Sequence, residues 1–319
     1  MKAKNRNSAG PPAIFLVIAA LLLLLTAQTS IAGYANPQLL ATPADIEKNA
    51  GKWIVLDTRD LDTVTDRAGR TLNGYNDGHI PGAITLGGNA AKVLRTSDIS
   101  VVFKDGSGNI DVKKYEHILG AAGISNDRTV VVYGDAPGIT NTTTAFWILE
   151  LLGHKDVRFL NGGIEAWQTA GKKLATTPTK LPPAGYVAKL NLNRIATTEE
   201  VRKVATGELK NVTLVDSRTA AEHAGTDVRA KRGGRLPNCL LNISHVEMFD
   251  RNNGTIKPMA ELEKIYGPLD RNTRIIPHCQ TGTRSTLTYM VFRLMGFKNP
   301  ANYDDSWIVW GNSEDLPIN

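Results

Sequence analysis

The sequence predicts an α/β fold built twice, as two tandem domains that each fold a parallel sheet flanked by helices on both faces. Three observations predict it. Short apolar runs bounded by turn residues alternate with stretches whose apolar positions recur every three to four residues, the pattern of strands buried between helices. Blocks of the first half return in the second at a nearly constant offset. In the second copy a strand runs into a loop that opens a helix, the place where α/β proteins bind ligands.

The chain starts with Lys2, Lys4 and Arg6, followed by the apolar run IFLVIAALLLLL and small residues ending at Ala32. That order reads as a signal peptide over residues 1–32, hence an exported, periplasmic protein. The alternative is an inner-membrane anchor formed by residues 13–32. No acid lies in that stretch, so the remainder keeps only half of the net charge of +6. So small a surplus, dispersed along the chain, excludes nucleic acid and a charged membrane surface as partners and suits attraction of a small anion.

The first copy spans 37–170 and the second 193–319, with KWIVLDTR (52–59) matched by NVTLVDSR (211–218) and GHIPGAITL (78–86) by GRLPNCLLN (234–242). RTVVVYGD (128–135) is matched by TRIIPHCQ (273–280), so Asp135 stands near the place of Cys279. The helices that follow end at Gly153 and Gly296, residues suited to a left-handed C-terminal cap. Thr42-Pro43 and Thr197 with Glu200 read as helix starts, the second as a capping box. Residues 171–192, rich in Pro, Thr and Lys, form the linker, extended over the surface. Asp57-Thr-Arg59 and Asp216-Ser-Arg218 occur in both copies and so read as structural ion pairs.

HCQTGTRS (278–285) carries the chemistry. Backbone amides of Gln280 to Arg284, passing through Thr281, Gly282 and Thr283, can turn inward around the Cys279 sulfur as an anion-binding concavity. Gly282 permits the tight curve. These amides, the N-terminus of the following helix and Arg284 all favour a thiolate. Arg284 either contacts a bound anion or only braces the loop. The chain has two cysteines, which excludes a disulfide framework. Cys239 follows a turn and reads as a buried thiol, with a regulatory bridge to Cys279 as the alternative. His278 packs at the strand end, and Trp307 and Trp310 pack under the loop. No His/Cys cluster has ligand spacing, so neither metal nor cofactor is expected.

The Asp-x-Arg strand, the GHIPGA turn, the cysteine loop and the closing LNGGIEAW or YDDSWIVW resemble the rhodanese family, and the tandem arrangement is similar to its two-domain sulfurtransferases. The likeness runs from about residue 37 to the end. It implies two rhodanese-like domains with one active site, in the second, and a decayed site at Asp135. It implies transfer of sulfur from thiosulfate or 3-mercaptopyruvate to cyanide or a thiol, including a protein thiol, through a Cys279 persulfide in a monomer. Six residues from Cys279 to Arg284 form a ring smaller than the seven-residue loop of related phosphatases and arsenate reductases, which are the enzymatic alternative. A carrier of persulfide sulfur or a redox sensor using Cys239 is another. The family further implies an arginine facing the donor, Arg232 or else Arg235, from the cluster that includes Arg229 and Lys231. Gln280 and Thr281 match neither of the pairs that separate thiosulfate from mercaptopyruvate users. Asp305 replaces a family glycine, which implies an unusual backbone angle there.

Overall fold

The computed structural model describes residues 33–66 and 68–319. The segment read as a signal peptide lies outside them. No helix of the described residues is long and apolar enough to cross a membrane.

The first half contains β1 (Leu40–Ala41), β2 (Ile54–Asp57), an antiparallel ribbon of β3 (Val64–Thr65) and β4 (Thr71–Leu72), β5 (Ile84–Thr85), β6 (Val130–Tyr133) and β7 (Val157–Leu160). Five of them form a parallel sheet in the order β1-β7-β6-β2-β5. Its helices are α1 (Pro43–Lys48), α2 (Ala90–Val93), α3 (Val112–Ala121), α4 (Ile139–Leu151) and α5 (Gly163–Thr169). β2 and β6 are buried at every position, as expected of strands covered on both faces.

The second half repeats this path with β8 (Ile195–Ala196), β9 (Val212–Asp216), β10 (Leu241–Asn242), β11 (Arg274–His278), β12 (Asn299–Pro300) and β13 (Asn302–Tyr303). The order is β10-β9-β11-β12, and β13 pairs with β8 at the far edge. β12 and β13 together take the place of β7. Pro300 offers no N–H to a ladder, so the strand breaks there. Its helices are α6 (Thr198–Ala205), α7 (Ala220–His223), α8 (Met259–Tyr266), α9 (Arg284–Met295) and α10 (Ser306–Trp310).

Helices α4 and α9 are buried almost all round, hydroxyl-bearing residues included, and they pack against each other to join the halves in one core. Polar groups pair with one another across this contact. Thr143 and Thr286 hydroxyls meet at 2.8 Å, and Glu150 receives Tyr289 Oη at 2.6 Å and Arg293 Nη2 at 2.7 Å. Residues 171–192 lie along the first half, with Lys189 and Asn191 amides donating to the Leu152 and Leu151 carbonyls.

Helix ends follow the sequence, with one correction. Thr42 and Asp45 cap α1 reciprocally. Thr197 Oγ1 accepts the Glu200 amide at 3.1 Å, but the Glu200 carboxylate does not turn back to close the box. It pairs with Arg274 at the start of β11 instead, a stronger, charge-assisted partner.

Candidate active site

Strand β11 delivers Cys279 to the C-terminal edge of the second sheet, and α9 starts five residues later at Arg284. The cysteine is 1% exposed. Ser285 Oγ lies 3.6 Å from its sulfur and points its hydroxyl at it. Ser306 Oγ accepts the Cys279 amide at 3.1 Å, which fixes the root of the loop.

The loop's peptides are oriented one by one. The Cys279 carbonyl accepts the Trp307 amide at 3.1 Å, and the Gln280 carbonyl accepts that of Ile308 at 2.7 Å. The Thr281 carbonyl accepts from Arg95 of the first half. The Gly282 carbonyl accepts Asn302 Nδ2 at 3.1 Å, and the Thr283 carbonyl accepts Thr286 Oγ1 at 2.7 Å. Every carbonyl from Cys279 to Thr283 therefore has a donor elsewhere in the fold. The amides of Gln280 to Ser285 have no acceptor among the described residues. A run of such free amides next to one cysteine is what an anion nest requires.

Gly282 makes the curve possible. Its φ of +69° lies in the left-handed region, and an added Cβ would overlap the Asp304 carbonyl. The angle expected at Asp305 sits one residue later. Asp305 has an ordinary helical φ of −59°, whereas Ser306 has φ +49°, and its counterpart in the first half is Gly163, with φ +53°. The serine hydroxyl, bonded to the Tyr303 carbonyl at 2.6 Å and to Cys279, holds that backbone in place.

Charges near the loop are arranged in two layers. Arg284 bonds both oxygens of Glu222 at 2.7 Å. Burial opposes ionisation of Glu222, but these bonds and the guanidinium charge outweigh it and hold the carboxyl down at about 2. Arg284 thus braces α9 against α7, with its charge beside the thiol. Behind the loop, Asp216 bonds Arg218 at 2.7 Å and His223 at 2.8 Å, and Arg218 stacks over Trp307 at 4.4 Å. Burial lowers His278 to about 4 despite Asp216 nearby, so its ring is neutral at pH 7. It packs at the strand end, with Nε2 at 3.8 Å from Cys239 Sγ. Burial also pushes the Cys239 thiol up, and neither cysteine is in a disulfide. Asp304, wholly buried, is raised by that burial to about 6, even beside Arg95.

Arg232, the first of the arginines expected to face the donor, has other partners in the structure. Arg232 Nη2 is occupied by the carbonyls of Trp310, Ser313 and Leu316, so it fastens the C-terminal segment. Arg235 is paired through its backbone with Asn319, and its charge is felt at Cys239. Of that basic cluster, Arg229 is the member beside the loop. Its carbonyl accepts Gln280 Nε2 at 2.8 Å, and its half-exposed guanidinium pairs with Asp227 at 2.6 Å and lies 3.9 Å from Glu222.

The reading from residues passed over Arg95, Asp304, Glu222 and the two serines. Thr219-x-x-Glu222 spells a capping box, so Glu222 carried a local signal. Arg95 carried none, because its partners lie across the whole chain. In the first half, Asp135 Oδ1 accepts the Gly138 amide at 2.6 Å and so caps its own loop, and burial raises its carboxyl above the usual range.

The model of the rhodanese-like domain matches residues 42–170 and again 198–313. A thiosulfate sulfurtransferase of Corynebacterium glutamicum is 35% identical over 76% of this chain and 80% of its own length. The sulfur carrier protein TtuD of Thermus thermophilus is 30% identical over 90% of this chain and 98% of its own. The anaerobic ergothioneine biosynthesis enzyme of Chlorobium limicola, solved with trimethyl histidine, superposes with a TM-score of 0.73 at 20% identity, over 89% of this chain and 71% of that one, a likeness of fold. The chain belongs to the rhodanese family, as two rhodanese-like domains in tandem.

Proposed function

We propose that the protein moves a sulfane sulfur from thiosulfate, or a related small anionic donor, to a thiophilic acceptor by way of a persulfide on Cys279. The chain is a sulfurtransferase by family and by the relatives it matches over most of its length. In the first step the Cys279 thiolate attacks the outer sulfur of thiosulfate. An S–S bond forms, the donor's own S–S bond breaks, and sulfite leaves with the electron pair. In the second, cyanide or a thiolate attacks the outer sulfur of the persulfide, and the Cys279 thiolate is regenerated. No proton must be moved to start either step, so no general base is required.

One observation carries this reading. Each loop carbonyl from Cys279 to Thr283 has a donor, and the amides of Gln280 to Ser285 have no acceptor among the described residues, so they are available to an anion on the sulfur. Arg284, spent on Glu222 through both Nη atoms, adds charge to this nest without the bidentate grip a tetrahedral oxyanion requires. That disfavours the phosphatase and arsenate-reductase alternative. Arg229 is the cation we assign to the donor's anionic end. The neutral side chains of Gln280 and Thr281 leave thiosulfate and 3-mercaptopyruvate as rival donors.

The likeness to a sulfur carrier favours a second reading, in which Cys279 loads sulfur and yields it only to a partner protein's thiol. Burial of Cys279 fits small acceptors better. The test is thiocyanate formation from either donor plus cyanide, in the chain and in Cys279→Ser. Turnover lost in the variant supports the enzyme, turnover retained removes Cys279 from the mechanism, and a sulfur gained on Cys279 without thiocyanate supports the carrier. We further propose export, with residues 1–32 removed. N-terminal sequencing of the secreted protein starting at Gly33 supports this, and an intact Met1 in the membrane fraction supports the anchor.

A further inference from the structure

A peptide plane that turns its N–H toward the sulfur turns its C=O away. The nest persists only while each outward carbonyl keeps a partner. Four of the five carbonyls from Cys279 to Thr283 find one within the second half. The Thr281 carbonyl is held by the guanidinium of Arg95, from the segment after α2 in the first half. Arg95 also donates to Thr283 Oγ1 at 2.6 Å and to Asp304 Oδ1 at 2.8 Å. The other Asp304 oxygen accepts the Val102 amide of the first half at 2.7 Å. Arg95 is 1% exposed, and Gly282 rests against the Asp304 backbone.

The twin arrangement on the other side shows what interdomain packing alone requires. The Thr96 amide bonds the Val101 carbonyl as the Asp250 amide bonds that of Thr255. The Val102 amide meets Asp304 as the Ile256 amide meets Asn161 Oδ1, at 2.8 Å. Asn161 thus stands for Asp304, and Phe249 for Arg95. The halves are joined there by a neutral amide, and a phenyl ring stands in the arginine's place. The charged pair, with its desolvation cost, stands only where the loop carries a thiol.

We infer that Arg95 is a positioning residue for sulfur transfer: the first domain holds the Thr281–Gly282 peptide so that its N–H faces the sulfur on Cys279. This rests on the persulfide reading above. It gives the cysteine-less half a function besides covering its partner, and it makes the active site a product of both domains.

The experiment is a rapid-quench measurement, by mass spectrometry, of the rate at which Cys279 gains one sulfur from thiosulfate in the full chain. Arg95→Met is expected to load at least about tenfold more slowly than wild type, since it releases one peptide of a preorganised nest. Arg95→Lys, which keeps the charge but gathers its donors on one nitrogen, is expected to recover part of the rate. Phe249→Leu, the matching lesion on the inert side, is expected to lower the melting temperature and leave the loading rate unchanged. Loading of Arg95→Met within about twofold of wild type, or equal slowing by Phe249→Leu, overturns the inference. If Arg95→Met fails to fold, Asp304→Asn replaces it, since asparagine serves at the twin position. Slowed loading then supports the inference and an unchanged rate overturns it. Wild-type protein that takes up no sulfur overturns the persulfide reading, and the inference with it.

Discussion

The two halves share a sheet order and an Asp-x-Arg ion pair, yet differ in what their loops can hold. Asp57–Arg59 and Asp216–Arg218 are both buried at 2.7 Å, so this pair belongs to the fold. Six residues beyond each aspartate the halves part. Glu222 braces Arg284 in the second, while Thr63 stands there in the first, and α4 opens with no arginine. Asp135 fills its own loop by accepting the Gly138 amide, whereas the amides of Gln280 to Ser285 have no acceptor among the described residues. One architecture therefore supports either a closed, self-capped turn or an open anion nest. The difference lies in a few side chains that orient peptides.

Substitutions can break this comparison. The largest effect is expected from Glu222→Ala, which leaves Arg284 buried without its partner. Breaking such a pair costs about 3–5 kcal/mol, so thermal or urea unfolding should show a large loss, along with slowed sulfur loading. Thr63→Ala, at the twin position, should cost no more than about 1 kcal/mol by the same measurement. Gly282→Ala comes next. Its Cβ would meet the Asp304 carbonyl at a positive φ, so a loss of about 1–3 kcal/mol and at least tenfold in turnover is expected, by unfolding and thiocyanate assay.

Proton linkage sharpens the same contrast. Glu222, lowered to about 2, lends stability that is complete above its ordinary range and lost as pH falls toward 2. Asp304, raised to about 6, acts with opposite sign, because the folded state binds its proton more tightly than the unfolded chain. Its contribution falls as pH rises from about 4 to 6. Unfolding measured across this range should show the second slope vanish in Asp304→Asn. The smallest effect is expected from Asp135→Asn, whose amide oxygen can still accept from Gly138. Turnover within about twofold of wild type fits a loop without chemistry, and a large loss contradicts it.

Much of this was legible in the sequence where the signal is local. Repeated strands, helices ending at Gly153 and Gly296, and the short spacing from Cys279 to Arg284 follow from periodicity and turn chemistry. What escaped depends on partners remote in sequence. Glu200 completes a capping box on paper but finds Arg274 in space. Arg232 lies among basic residues before a turn, and nothing local shows that the C-terminal carbonyls will claim it. Arg95 is a single arginine in an irregular segment, and only the packing of α4 on α9 brings it to Thr283. Gly163 and Ser306 share a left-handed backbone that composition conceals in the serine.

The central claim is that the loop stabilises a second sulfur on Cys279 through its free amides. A crystal structure of thiosulfate-treated protein tests it most directly. The account predicts one additional sulfur bonded to Cys279 Sγ, within hydrogen-bond reach of several amides from Gln280 to Ser285, with Arg284 still on Glu222. An unmodified Cys279, or a vanadate or arsenate ion seated in the loop with Arg284 swung onto its oxygens, would contradict it.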